Sequence, residues 1–180
     1  MIIRHVARSL TLLCLLLATP SLSMAAESIT DSPRRPIRST DRRLRSLLEE
    51  GLRISPTLRA LVARLLASDV VVYLQCDGPR GPDGRLTFLS SVGGVRYVVV
   101  RMGRFARMQQ IAMMAHELQH AVEIADTPAI VDGPSLVREY HRIGYVNQWS
   151  SLPGVAFDTQ AAIRVGEQVL KELMLEDASY

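Results

Sequence analysis

His116, Glu117 and His120 form the pattern His-Glu-x-x-His, and no other five residues of the sequence gather as much potential chemistry. Residues four apart on an α-helix lie one turn above each other on one face. Two imidazoles so placed can converge on one cation at about 2.0–2.1 Å, the usual zinc–nitrogen distance. Glu117 is turned about 100° from His116, outside that pair. It can reach a water in an open position on the metal, take its proton and later pass it to a leaving amine. The chain has four histidines and nine glutamates, which makes a chance match to the pattern about one in two hundred.

The pattern needs a buried helix, and its surroundings supply one. Ile111, Ala112, Met113, Met114 and Ala115 precede it, and Leu118, Ala121 and Val122 surround it. No proline or glycine interrupts residues 105–125. A helix that is apolar on most sides packs inside a domain, where the dielectric is low. Met113 and Met114 are core residues by default.

The flanking segments predict an α+β domain. Residues 41–52 place Leu44, Leu47 and Leu48 on one helical face. Ser55-Pro56 opens a second helix with the stripe Leu58, Leu61, Val62 and Leu65. From Val70 a β-branched run, Val70-Val71-Val72-Tyr73-Leu74, reads as a buried strand. Residues 77–84 are rich in glycine and proline and read as a loop. Two further strands, Leu86 to Ser90 and Val95 to Arg101, flank a hairpin turn at Gly93-Gly94. The expected sheet therefore has three strands and is partly antiparallel. A short helix over 135–143 and a last helix over 158–175 follow, separated by an irregular stretch that holds the only tryptophan, Trp149.

The N-terminus reads as an export signal. Arg4 and Arg8 precede an apolar run over residues 10–18, Pro20 breaks it, and Ser23-Met24-Ala25 offers small residues for cleavage near Ala25 or Ala26. The run is too short for a comfortable bilayer span, so no stable transmembrane span is expected after cleavage. The protein is then periplasmic or secreted. Residues 1–26 are the signal peptide, 27–40 a disordered basic arm with Pro33 and Pro36, and 41–180 the folded domain. Arg34, Arg35, Arg38, Arg42, Arg43 and Arg45 cluster near the new N-terminus, where a solvated basic tail is the plain reading and contact with anionic lipid or another envelope polymer the sharper one.

Charge and cysteine narrow the function classes. The whole chain has 21 basic and 18 acidic residues. Losing Arg4 and Arg8 leaves 19 against 18, which is no argument for a nucleic-acid partner. Cys14 leaves with the signal, so Cys76 has no internal disulfide partner.

Met114-Ala115-His116-Glu117-Leu118-Gln119-His120-Ala121-Val122 resembles the active-site helix of the zincin metallopeptidases. The order of helices, small sheet, motif helix and later helix also resembles a minimal zincin-like domain. The resemblance implies Zn2+ as cofactor, His116 and His120 as metal ligands, and Glu117 as general base in peptide hydrolysis. It also implies a peptide or protein substrate lying antiparallel along an edge strand, here expected to be Val95 to Arg101.

A catalytic zinc usually takes a third protein ligand. The metzincin glycine and third histidine are replaced by Glu123 and Asp126, and a thermolysin-like second motif is absent. Asp158, at the head of the last helix, is one candidate; its plainer role is an N-cap. Glu139 is the alternative, 19 residues after His120; its plainer role is a solvated acid. Glu123 shares the histidine face, but one metal cannot comfortably span seven residues from His116, so a supporting or ion-pair role is expected. His141 points away from the apolar stripe of its helix. Tyr97, Tyr140 and Tyr145 could each donate to an oxyanion, with packing the plainer role. The rival to a peptidase is a non-catalytic envelope binding protein on a zincin-like scaffold. Metal-assisted hydrolysis of a non-peptide bond is a third reading.

Overall fold

A computed structural model of the chain describes residues 35–77, 84–146 and 156–178. The expected signal peptide, most of the expected basic arm, residues 78–83 of the expected loop, and Trp149 lie outside the described residues.

The architecture is α+β. In chain order the elements are β1 (Ile37–Arg38), α1 (Arg42–Ile54), α2 (Pro56–Leu66), β2 (Val70–Cys76), β3 (Arg85–Val92), β4 (Val95–Met102), α3 (Arg107–Asp126), α4 (Gly133–Ile143), β5 (Tyr145–Val146), β6 (Phe157–Asp158) and α5 (Gln160–Asp177). Asp41 caps α1 by accepting from the Arg43 and Leu44 amides, and Ser55 caps α2, its Oγ accepting from the Leu58 amide.

The main sheet has four described strands rather than three, in the order β1-β2-β4-β3. β1 and β4 run parallel to β2, and β3 runs antiparallel to β4. The extra strand comes from the segment expected to be a disordered arm. Ile37 is buried there, and the Val72 amide donates to the Pro36 carbonyl. One apolar side chain and a few ladder bonds suffice to seat this short strand, and no periodicity can announce an element of two residues.

The hairpin turns where expected, with Gly93 and Gly94 both at positive φ, 59° and 77°, as a two-residue turn of this hand requires. The chain leaves β2, runs back along the outside as β3, and returns as β4 between the two. Val95–Met102 is therefore an interior strand bonded on both sides, and the expectation that it forms the edge is corrected. Among the described residues, the edge beside it is β3. Chain proximity to the motif helix suggested β4, but the parallel β2–β4 pairing forces β3 outward.

Alternation in β2 and β4 sends Val70, Val72, Leu74, Val98, Val100 and Met102 into the core beneath the helices. There they meet Leu44, Leu58, Leu65, Ile111, Met114 and Leu118. Full burial of such side chains contributes about 1.5–3 kcal/mol each. The principal partner of α3 is α5. Gly166 makes the close approach possible, since a Cβ there would stand 3.3 Å from His116 Cβ and 3.4 Å from the Ala112 carbonyl oxygen.

Arg96 is a charge committed to this interior, on the sheet. It is 4% exposed and pairs through Nε and Nη2 with both oxygens of Asp69, at 2.7 and 2.6 Å. It also donates to the carbonyls of Ile124, Ala125, Thr127 and Ile130. These include carbonyls left without partners where α3 ends. No helix among the described residues is long and apolar enough to cross a membrane.

Candidate metal centre

α3 carries His116, Glu117, His120 and Glu123 over two turns, with no glycine or proline to break them. Its apolar residues face both the sheet and α5, so the polar motif is carried into a largely buried position. Glu117 is 3% and His120 5% exposed. The imidazole rings of His116 and His120 lie 5.0 Å apart, nearly perpendicular.

Asp158 comes to them from β6. Its Oδ1 is 3.4 Å from His116 Nε2 and 3.8 Å from His120 Nε2. One donor atom from each of His116, His120 and Asp158 lies within 4.8 Å of the others. Ligands about 2.0–2.1 Å from a tetrahedral centre stand about 3.3–3.4 Å from one another, so the two separations from Asp158 need only small adjustments around one cation. Two imidazole nitrogens and a carboxylate oxygen are also a donor set that suits zinc.

Asp158 is not the N-cap of α5. Thr159 takes that role, its Oγ1 accepting from the Ala162 amide at 3.1 Å. The Asp158 carboxylate is thereby free to face the histidines, while its Oδ1 accepts from the Thr159 amide at 2.7 Å. The short ribbon of β5 and β6, with Tyr145 opposite Asp158, holds this residue in place.

Behind the histidines lies a second layer of polar groups. Glu123 Oε2 meets His120 Nδ1 at 2.8 Å, so the proton sits on Nδ1 and leaves Nε2 for the cluster. Tyr140 donates to the same oxygen at 2.9 Å, and Thr159 donates to Glu123 Oε1 at 2.7 Å. Glu123 thus joins α3, α4 and the head of α5, the supporting role expected of it.

Electrostatics follow from this packing. Burial pushes the Glu117 carboxyl above its ordinary value, against the opposing pull of the two imidazoles. For Glu123 burial acts upward too, but the bonds from His120, Thr159 and Tyr140 win and hold it ionised. Burial also pushes Asp158 upward, and its interaction with His116 prevails in the other direction. Three carboxylates thus crowd two imidazoles.

The other candidates stand elsewhere. Glu139 is not in the cluster; its carboxylate is paired with Arg142 one turn on in α4, and that bond holds it in the ionised form. Of the two acids expected as third ligand, Asp158 is the one that stands beside the histidines. His141 is exposed, its ring against Phe157. Tyr97 stacks on Tyr73 on the sheet face away from α3. Tyr140 is buried behind His120, and Tyr145 is 44% exposed beside Asp158. Sequence reasoning did not single out Thr159 or the bracing role of Tyr140. The only signal for Thr159 was a second good capping residue directly after Asp158; for Tyr140 there was none beyond its place on an apolar stripe.

No protein-family model, curated protein or solved structure matches the chain.

Proposed function

We propose that the chain is a zinc-dependent hydrolase, an exported peptidase in which His116, His120 and Asp158 hold the metal and Glu117 is the general base. The observation that carries this reading is the convergence of His116 Nε2, His120 Nε2 and Asp158 Oδ1 next to a buried glutamate. The surplus of carboxylates over imidazoles is the charge balance that a bound dication offsets. Zinc, when bound, supplies Lewis acidity toward a water and a substrate carbonyl.

The protein's own groups do the rest. Glu117 accepts the proton of the attacking water and hands it to the departing amine; a carboxyl raised by burial is suited to both transfers. Glu123 fixes the tautomer of His120. The free edge of β3 offers a ladder for an extended peptide, in place of β4. A zincin-like assignment of the domain is supported by this antiparallel edge strand, whose opening lies beside Glu117, and by the nine-residue motif.

The test is metal content together with hydrolysis of a peptide library by the mature protein. The expected result is one zinc per chain and cleavage that Glu117→Gln abolishes while retaining the metal. A second reading, a non-catalytic envelope binding protein, is favoured by the near-complete burial of Glu117. Zinc-loaded protein that cleaves nothing would support that second reading.

A further inference from the structure

Gly84 immediately precedes β3. The positive φ values among the described glycines belong to Gly93 and Gly94, so no left-handed backbone demands glycine at Gly84. What excludes a side chain there is the motif helix. A Cβ built on Gly84 would overlap Glu117 Oε1 and stand 3.0 Å from Glu117 Cδ and 2.7 Å from Met113 Sδ. The Leu86 backbone N–H, two residues further on, favours the ionised form of the same Glu117 carboxyl.

We infer that Gly84 is a positioning residue: its missing side chain lets the Glu117 carboxylate lie against the opening of β3, beside the cation site. This deepens the proposed peptidase reading and rests on it. The groups that a new methyl would meet are the ends of flexible side chains, not backbone. Gly84→Ala therefore yields a folded protein in which the carboxylate, rather than the strand, moves aside. Misplacement of a catalytic group by about 1 Å can cost a hundredfold in rate.

The test compares the mature parent chain with Gly84→Ala, Glu117→Asp and the double variant, each loaded with cobalt(II) as a visible probe and each assayed with zinc. Gly84→Ala is expected to bind one cobalt and melt with the parent, but to change the cobalt spectrum. Its kcat is expected to fall about a hundredfold with KM unchanged. In the Glu117→Asp background the shortened acid clears the methyl, so Gly84→Ala adds no further spectral change. Parental kcat and spectrum in Gly84→Ala would overturn the inference alone. Loss of metal and melting temperature in step with activity would also overturn it, making Gly84 a packing residue. A parent that takes up no cobalt would remove the metal reading and this inference together.

Discussion

His120 Nδ1 and Glu123 Oε2 lie 2.8 Å apart on the side of the imidazole opposite the cluster formed by its Nε2. The carboxylate is itself tied to Tyr140 and Thr159, so one buried acid sets the orientation of the ring from three elements. Groups that orient a liganding histidine typically contribute 10–100-fold to metal affinity. Glu123→Ala is expected to weaken zinc binding by about that factor in a chelator competition. Tyr140→Phe should cost less, since Glu123 keeps its bonds to His120 and Thr159. Equal affinities in all three proteins would remove Glu123 from the site.

Asp158 and Glu139 offer a direct contrast. Asp158→Asn takes a charged donor from the cluster and should yield protein that loses zinc on gel filtration. Glu139→Gln removes only the partner of Arg142 and should retain it. Zinc-loaded parent should also melt higher than chelator-treated parent, because a ligand that binds only the folded state stabilises it. That shift should vanish in Asp158→Asn and persist in Glu139→Gln. The opposite pattern would restore Glu139 as the ligand.

Arg96 bears on stability rather than chemistry. Arg96→Leu would leave the buried Ile130 carbonyl and the Asp69 carboxylate without their donor, while the Ile124 and Thr127 carbonyls keep one backbone amide each. Abandoned buried acceptors cost about 1–3 kcal/mol each before relaxation, so a net loss of about 3 kcal/mol is expected in urea titration. Arg96→Lys keeps the charge but not the forked geometry and should recover only part of it. A loss below about 0.5 kcal/mol, the range of ordinary surface substitutions, would contradict the proposed role.

The partner of Arg96 gives a pH dependence. The hydrogen bond from Arg96 holds the Asp69 carboxyl below its ordinary 3.8, against a smaller opposing effect of burial. A carboxylate depressed in the folded state stabilises it above the unfolded value, and that contribution is lost as pH falls through the folded value. The stability difference between parent and Asp69→Asn should therefore be constant above about pH 5 and shrink below about pH 4. Asp69 is 40% exposed, so the effect is modest. A difference that does not change with acidification would exclude the linkage.

Much of this arrangement was legible in the residues, for local reasons. Ser55-Pro56, Gly93-Gly94 and the uninterrupted helix around His116 each carry their own punctuation, and the structure turns or continues at each. Asp158 was legible as a candidate but not distinguishable from an N-cap, because the outcome depended on Thr159 taking the cap. The edge strand was misassigned because strand order depends on the nonlocal pairing of β2 with β4. Ile37 was missed because a two-residue strand has no period. Tyr140 joined the site through the fold of α4 over α3, a contact between residues twenty apart that nothing local encodes.

Asp158 reaches the histidines from a short strand well down the chain from His120. A cation shared by the two would act as a cross-link, tying the end of the sequence to its middle in a protein whose Cys76 is a free thiol. A covalent tie closing a loop of that length would restrict the unfolded chain by about 4 kcal/mol, and a tightly held metal approaches that limit. Removing the metal would then loosen α5 first, so its amides should exchange faster while those of β2 and β4 remain protected.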